Sequence, residues 1–256
     1  QFQNKFRNEL RAKSGIMRSR EFIMKDLYSF SRDEAEFKKF YEQCAEAYIK
    51  IFERIGLGAV TYRTFASGGS FSKFSDEFQT VCDAGEDIIY IHKEKHVGVN
   101  KEVYTDEVLG SLGLSKGDMQ EAKAIEVGNI FPLGTKYSEA LRLTYKDIKG
   151  EEHFPYMGCY GIGLGRLMGA IVEVLSDDKG IVWPKEVAPF RVHLVSVSGG
   201  NTEVEGEAKR LYEVLLEHDI EALYDDRDVR AGEKFADSDL LGIPVRLVVS
   251  EKTMAA

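Results

Sequence analysis

A change of rhythm near residue 186 constrains the fold of this chain more than any other feature of its sequence. Pro184 and Pro189 interrupt the hydrophobic pattern, and beyond them apolar runs of strand length alternate with amphipathic segments of helix length. The predicted elements are strands at Arg191–Val197, Ile220–Tyr224 and Val245–Val249, with helices at Thr202–His218 and Glu233–Leu241. This alternation is typical of a small α/β unit. We therefore predict a domain boundary between residues 186 and 187.

The first 186 residues have the pattern of an α+β domain. Two extended segments, Gln3–Arg11 and Arg20–Phe30, flank a turn at Lys13-Ser14-Gly15 and predict a long hairpin. Asp33–Ile55 carries apolar residues at three- and four-residue steps, which predicts an amphipathic helix. Further strands are predicted at Ala59–Thr64, Glu77–Cys82, Asp87–His92, Ala124–Phe131, Ser138–Tyr145 and His153–Met157, with a glycine-led helix at Gly161–Leu175. The polar stretch His92–Glu121 is expected to run over the surface.

The composition excludes several classes of protein. Of the 256 residues 43% are hydrophobic and 30% are charged, as in ordinary globular proteins, and no apolar run approaches the length of a membrane span. Three cysteines without a CxxC spacing argue against a zinc ribbon or a disulfide framework and indicate a reducing compartment. The net charge of −9 argues against a general polyanion binder but leaves room for a local basic site. The abrupt start at Gln1 leads us to expect a piece of a longer protein.

The opening hairpin concentrates positive charge in a chain that is acidic overall. Residues 1–25 hold seven basic and two acidic side chains, a local net charge of +5. Because side chains alternate along a strand, Arg7 and Glu9 share one face, as do Arg20, Phe22 and Met24 on the returning strand. A guanidinium, a carboxylate and a ring suit a phosphate, an exocyclic amine and a purine respectively. On charge alone, a hairpin held by surface ion pairs is an equally good explanation.

A second candidate site is the glycine-rich stretch Met157–Arg166. Gly161, Gly163 and Gly165 allow close approach of the backbone, and Arg166 falls in the first turn of the helix predicted to follow, which suits an anionic ligand. The spacing matches neither a Walker loop nor the dinucleotide fingerprint. Tight packing of a helix on a sheet is the simpler explanation of this stretch taken alone.

These stretches together resemble the bacterial-type prolyl-tRNA synthetases, a family of class II aminoacyl-tRNA synthetases. Phe6–Phe30 resembles motif 2, Ile125–Phe131 with Gly134–Ser138 resembles the segment before motif 3, and Met157–Arg166 resembles motif 3. Asp225–Arg227, Gly232–Asp237 and Gly242–Pro244 resemble the anticodon-binding domain. The resemblance implies a class II core over 1–186, with an antiparallel sheet flanked by helices but without motif 1. It also implies a C-terminally shortened α/β anticodon-binding domain with a mixed sheet over 187–256.

The resemblance also implies roles for individual residues. Members of this family activate proline with ATP and Mg²⁺ and transfer the prolyl group from the adenylate to tRNA(Pro). Arg7 and Arg166 would be catalytic: Arg7 would hold the α-phosphate and the proline carboxylate, and Arg166 with Arg18 would hold the outer phosphates. The implied nucleotide-binding residues are Arg7, Glu9, Arg18, Phe22, Glu126, Asn129, Gly163 and Arg166. The implied proline-binding residues are Arg7, Met24, Phe131, Cys159 and Gly161, and Arg227 and Lys234 would contact the tRNA. We expect no protein-held structural metal.

This chain departs from the family pattern at several points. Asn129 is not the residue expected at the second position bearing on Mg²⁺, and Asp76 stands where the usual pattern has His, a departure that bears on the details of the proline pocket. Only a short polar stretch separates Asp87 from Glu126, where many bacterial relatives carry a large editing domain. We therefore expect no hydrolysis of mischarged alanyl-tRNA in cis, a task left to a trans-acting factor. Because motif 1 and the proline-gripping loop are absent, we expect this chain alone to lack part of the amino-acid pocket.

Two other functions stay open. One is a non-catalytic, synthetase-like tRNA-binding or accessory module, and the other is a class II synthetase for threonine, glycine or histidine. The joint presence of Arg7, Glu9, Phe22 and Arg166 argues against the module, since a protein that does not form an adenylate has no need of these four residues. The resemblance further implies a cytoplasmic protein that is a homodimer at full length, without a membrane or DNA partner.

Overall fold

The computed structural model describes residues 1–10, 12 and 14–255 and falls into two compact units, one over 1–173 and one from Val174 onward. Arg11 and Lys13, which belong to the basic hairpin predicted from the sequence, lie outside the described residues. None of the described helices has the length and apolar character that crossing a membrane requires.

The first unit is built on an eight-stranded, mainly antiparallel sheet. Its strands are β1 (Phe2–Phe6), β2 (Glu21–Ser31), β3 (Thr61–Ser67), β4 (Phe74–Val81), β5 (Asp87–His92), β6 (Val97–Asn100), β7 (Gln120–Gly134) and β10 (Tyr156–Gly163), and β8 (Tyr145–Lys146) and β9 (Glu152–His153) form a separate ribbon. The order across the sheet is β1-β2-β10-β7-β4-β3-β6-β5, and β5 pairs again with β7. The last five strands therefore close into a ring, while β1 lies at the open edge of the sheet.

One face of the sheet is covered by the long helix α1 (Glu34–Arg54), as its periodicity predicts. The Asp33 side chain accepts a hydrogen bond from the Glu36 amide and so caps the first turn. The apolar stripe of the helix is buried against the sheet, where the Tyr48 and Phe52 rings lie 5.0 and 5.4 Å from the ring of Phe78 on β4. Because α1 takes this face, the cavity described below opens on the other face.

Several elements differ from the sequence-based expectation. The strand predicted over Gln3–Arg11 ends at Phe6, so Arg7 and Glu9 lie beyond it and their shared strand face is not formed. Residues 138–144 do not form a strand, because α3 (Lys136–Ala140) occupies the start of this segment and turns Ser138 inward, where its hydroxyl donates to the Pro155 carbonyl. The helix α4 (Leu164–Leu175) begins three residues later than expected, since the glycine run extends β10. The stretch 92–121 is not merely a surface segment: it contains β6 and α2 (Asp106–Ser111), and it buries Val99, Leu109 and Leu114 together. These apolar residues come from separate short elements, so no single periodicity reveals them.

The second unit is the small α/β fold that the alternating pattern predicts. Its elements are β11 (Val192–Val197), α5 (Thr202–Glu217), β12 (Ala222–Asp225), α6 (Ala231–Leu241), β13 (Val245–Ser250) and α7 (Glu251–Met254). The strands are ordered β12-β11-β13, and both pairings are parallel. The mixed sheet implied by the resemblance is therefore parallel over the described strands, because a helix connects each strand to the next.

Candidate active site

Three neighbouring strands, β2, β10 and β7, form the floor of a cavity. In the register of the sheet Cys159 lies between Phe131 on β7 and Tyr28 on β2. Gly161 and Gly163 follow at two-residue steps along β10, so all three positions point to the same face. From Cys159 to Gly163 the strand advances about 13 Å, at roughly 3.3 Å per residue. The floor is therefore a strip of backbone with a row of side chains across one end.

The two glycines keep this strip open. A Cβ on Gly161 would lie 2.9 Å from the Met24 Cε atom, which is closer than side-chain atoms approach each other. With no side chains here, a cavity of about 230 Å³ lies above the backbone. This explains the glycine run better than tight helix packing does at these two positions, because the space above them is a cavity and not a packed helix.

The cavity brings together every residue that the sequence analysis assigned to ATP or proline. Twelve residues from four separate stretches of the chain line it: Arg7, Glu9, Arg18, Phe22, Met24, Glu126, Asn129, Phe131, Cys159, Gly161, Gly163 and Arg166. Their convergence is a structural finding, whereas the part each plays toward a ligand stays a prediction.

One end of the cavity is dominated by charged groups. The Arg7 guanidinium carbon lies 5.3 Å from the centre of the Phe22 ring, a cation–π distance. Arg18 contributes two ion pairs, with Nη1 3.8 Å from Glu9 Oε2 and Nε 3.1 Å from Glu86 Oε2. The Arg20 Nε donates to the Glu9 carbonyl at 2.9 Å and so ties the two arms of the hairpin together. A ring and several guanidinium groups within one cavity suit a purine nucleotide and its phosphates.

A bulge in β7 places Glu126 in the cavity. Phe78 pairs with Gly128 and Gln79 pairs with Glu126, so Val127 is an extra residue on β7. Without this bulge Glu126 would point toward α1, on the same side as Gly128. Instead its carboxylate lies 3.3 Å from Arg166 Nη1, which also donates to the Glu126 carbonyl at 3.1 Å. The Arg166 Nε donates to the Met17 carbonyl, so the glycine-rich stretch and the opening hairpin are joined here.

The oxygen atoms beside Arg166 fit a magnesium ion. Asn129 Nδ2 donates to Glu126 Oε1 at 3.1 Å, while Asn129 Oδ1 is buried without a hydrogen-bond partner in the described chain. Buried polar atoms are normally satisfied, and Mg²⁺ takes carboxylate and carbonyl oxygens as ligands. Asn129, which departs from the family pattern, therefore still offers an oxygen atom that can serve as a metal ligand.

The other end of the cavity is less charged, and burial keeps its groups neutral. Burial raises the pKa of Tyr28 to about 12 and also raises the pKa of the Cys159 thiol. A thiol with a raised pKa is a poor nucleophile at neutral pH, so Cys159 acts here as a small wall residue. Asp26 differs: burial favours its neutral form, but hydrogen bonds from Lys5 and Gln3 outweigh burial and hold the pKa of Asp26 below its ordinary value. Its carboxylate is paired with the Lys5 ammonium at 2.7 Å.

The sequence analysis missed one aromatic wall of this cavity. Phe71 lies on the loop 68–73 between β3 and β4, and its ring centre is 4.9 Å from that of Phe131. The glycine- and serine-rich sequence of this loop indicates only a connection, and no local pattern shows that the loop reaches over the sheet. Asp76, where the family pattern has His, does not line the cavity, and its carboxylate accepts hydrogen bonds from the Tyr41 hydroxyl and from Arg63.

The two residues expected to contact tRNA differ in how far they are exposed to solvent. Lys234 is only 3% exposed, and its ammonium donates to the Ser196 carbonyl at 2.6 Å and lies 3.8 Å from Asp225 Oδ1. The expectation for Lys234 is corrected on this ground, because a buried and bonded ammonium is not available to an RNA. Arg227 is half-exposed but bonds to Asp225 and Asp237, each at 2.8 Å. Its contact with tRNA stays a prediction.

The chain belongs to the class II aminoacyl-tRNA synthetases. Residues 1–175 match the tRNA synthetase class II core domain (G, H, P, S and T), and residues 191–256 match the anticodon binding domain. Its curated relatives include proline–tRNA ligases of Rhizobium meliloti, 36% identical over 99% of this chain and 63% of the relative, and of Rickettsia bellii, 40% identical over 98% and 61%. A third, from Rhizorhabdus wittichii, is 38% identical over 97% and 62%. The chain thus spans about three fifths of their length, and the boundary at 186/187 falls between the two matched regions but stays a prediction.

Proposed function

We propose that this chain is the ATP-binding core and anticodon-binding part of a proline–tRNA ligase. The observation that carries the proposal is the single cavity that collects twelve residues assigned to ATP and proline from the sequence. The relatives named proline–tRNA ligase support the choice of amino acid. A class II synthetase joins an amino acid to ATP and then to tRNA, so proline, ATP and tRNA(Pro) are the proposed substrates.

The proposed mechanism assigns the charged end of the cavity to ATP. Phe22 stacks on the purine, Glu9 accepts a hydrogen bond from its exocyclic amine, and Arg18 and Arg166 hold the outer phosphates. Arg7 binds the α-phosphate together with the proline carboxylate and stabilises the negative charge that develops as this carboxylate attacks phosphorus. Glu126 and Asn129 would hold Mg²⁺, which when bound neutralises phosphate charge. Pyrophosphate leaves, and the prolyl group passes from the adenylate to the terminal ribose of the tRNA.

The whole protein is proposed to be a cytoplasmic homodimer without an editing domain inserted between Asp87 and Glu126. The residues that do stand in this stretch form a small core of their own around Val99, Leu109 and Leu114. Removal of mischarged alanine would then depend on a separate protein.

The test is proline-dependent exchange of pyrophosphate into ATP by the whole protein, with alanine, threonine, glycine and histidine as competing amino acids. We expect exchange with proline above the other four. Exchange preferring threonine, glycine or histidine would assign another synthetase, and binding of tRNA(Pro) without any exchange would assign a non-catalytic module.

A further inference from the structure

The cavity is chemically polarised along the strands. Arg7, Arg18 and Arg166 lie at one end, while Phe131, Cys159 and Tyr28 form a row across β7, β10 and β2 at the other. Cys159 and Tyr28 are neutral side chains, and the Asp26 carboxylate at this end is paired with the Lys5 ammonium at 2.7 Å, so the row itself suits an apolar group. Under the proposed function, which this inference deepens, the row marks where the side chain of the amino acid lies.

Phe71 completes this end from above. It is carried by the loop 68–73, which follows β3 and leads into β4, and its ring packs on Phe131 at 4.9 Å and an interplanar angle of 48°. A tilted pair at this distance is a favourable aromatic arrangement. Phe71 is 43% exposed, so a ligand in the cavity can cover apolar surface that solvent now contacts. A small apolar ring placed against Phe131 would bury part of both aromatic side chains.

The loop holds Phe71 in this position through its own contacts. The Lys136 ammonium, at the start of α3, donates to the Ser70 carbonyl at 2.6 Å and tethers the loop next to Phe71. Inside the loop the Phe71 amide donates to the Gly68 carbonyl at 3.0 Å. A Cβ on Gly68 would collide with the backbone of Ser72, so the turn depends on glycine at this position. The Phe71 ring is therefore presented by a tethered turn and not by a loose segment.

We propose that Phe71 is a specificity-determining residue that recognises the pyrrolidine ring of proline by closing the apolar end of the cavity against Phe131. Its contact is with the side chain of the amino acid and not with the nucleotide. Hydrophobic pockets distinguish ligands that differ by a methylene by roughly 10- to 200-fold, so loss of one aromatic wall is expected to matter at this scale. A ligand with the small methyl side chain of alanine covers less of the Phe71 ring and gains less from it.

The experiment compares the binding of three non-reactive adenylate analogues to the whole protein by calorimetry. They are prolyl-sulfamoyl adenosine, alanyl-sulfamoyl adenosine and sulfamoyl adenosine without an amino acid. For Phe71→Ala we expect the dissociation constant of the prolyl analogue to rise about 10-fold, that of the alanyl analogue to rise less, and that of sulfamoyl adenosine to stay unchanged. Phe71→Leu keeps an apolar wall and is expected to recover part of the lost affinity.

Phe74→Ala is the matched control, because Phe74 is the first residue of β4 directly after this loop, packs on Phe65 at 4.7 Å, and does not line the cavity. It should leave all three dissociation constants unchanged. Equal losses for all three analogues in Phe71→Ala, or no loss for the prolyl analogue, would overturn the proposal while leaving the adenylate site intact. If the unaltered whole protein binds none of the three analogues, the proposed function itself fails, and the role of Phe71 fails with it.

Discussion

Arg7 is the residue on which the chemistry of the proposed site depends most. Its guanidinium lies over the Phe22 ring in the same cavity as Arg166, where it can meet both the α-phosphate and the carboxylate that attacks it. A preorganised donor of this kind contributes about 3–4 kcal/mol to stabilising a transition state.

We expect Arg7→Ala to lower kcat/KM for proline-dependent exchange in the whole protein by roughly 100- to 1000-fold. The loss should appear mainly in kcat, because the charge that Arg7 stabilises grows toward the transition state. Arg32→Ala is the control, since Arg32 is an exposed arginine that pairs with Glu36 and does not line the cavity. A loss confined to the KM for ATP would show that Arg7 only binds the nucleotide.

Glu77 gives the folded chain a dependence on pH that its sequence does not suggest. It is 9% exposed on β4, and burial together with the nearby Glu126 raises its pKa to about 7. Gln79 and Asn100 each donate to its Oε2 atom, which opposes this rise without cancelling it. Between the ordinary pKa of 4.5 and about 7, the folded state keeps a proton that the unfolded chain has released.

The free energy of unfolding should therefore fall as the pH rises through this window, as far as Glu77 contributes. We expect Glu77→Gln, which has no carboxylate to ionise, to be more stable than the unaltered chain by about 1–3 kcal/mol at pH 8 and to lose this advantage at pH 5. Urea unfolding of both proteins at pH 5, 6.5 and 8 measures the difference. A difference that is the same at all three pH values would refute the titration of Glu77 in this range.

At the scale of the element, the glycines on the two faces of β10 are needed for different reasons. Gly158 faces α1, where a Cβ would overlap the Tyr160 ring and lie 2.9 Å from the Phe37 ring. Gly161 faces the cavity, where a Cβ would meet only the flexible end of Met24. The same residue type is thus required for packing at one position and for ligand space at the other.

Alanine substitutions at Gly158 and Gly161 should separate the effect on packing from the effect on ligand binding. Gly158→Ala is expected to lower the free energy of unfolding by about 1–3 kcal/mol through overpacking. Gly161→Ala should change stability little but weaken the binding of prolyl-sulfamoyl adenosine, because its methyl group occupies the floor of the cavity at a position assigned to proline. Urea unfolding and titration of this analogue into both variants provide the comparison. If Gly161→Ala binds the analogue normally, the prolyl group does not lie on this part of β10.

The elements show which parts of the fold a sequence can predict. The helix over 34–54 and the α/β alternation after residue 190 are set by local periodicity, and both are present within a few residues of the expected bounds. The bulge at Val127 depends on how β7 pairs with β4, and the loop carrying Phe71 is placed by the Lys136 tether. Neither leaves a local pattern. The strand prediction at Ser138 is wrong because its hydroxyl donates to the buried Pro155 carbonyl, a partner that only the folded chain provides.

The residues that line the cavity are predictable from the sequence because they lie in recognisable motifs. Arg7, Glu9, Phe22 and Arg166 belong to motifs whose order along the chain identifies the family, although they come from stretches more than 140 positions apart in the sequence. Lys234 shows the limit of this argument. It lies in a family motif too, but the motif is also compatible with a buried ion pair, and only the fold distinguishes the two.

At the scale of the whole molecule, each unit has a core of its own. Leu194, Val204, Ala208 and Val249 form one core of the second unit, where the buried Lys234 ammonium bridges the Ser196 carbonyl and Asp225. Removing one partner of a buried pair costs about 3–5 kcal/mol, and here Arg227 still pairs with Asp225 and softens the loss.

We expect Lys234→Met to lower the stability of the second unit by about 2 kcal/mol while leaving ATP binding by the first unit unchanged. Scanning calorimetry should show one transition moving to lower temperature and another staying in place. Lys209→Met, at an exposed lysine on α5, is the control and should move neither transition. A parallel shift of all unfolding signals would mean that the two units do not unfold separately.

The absence of side chains at Gly161 and Gly163 also limits how substitutions can change the shape of this cavity. Any mutation at these positions adds atoms, so it makes the slot narrower, and no replacement can make it wider. Under the proposed function, substitutions that widen the range of accepted amino acids are therefore expected in the loop 68–73 and in the side walls of the cavity, where Phe71 is exposed. A laboratory search for broader substrates should randomise this loop first.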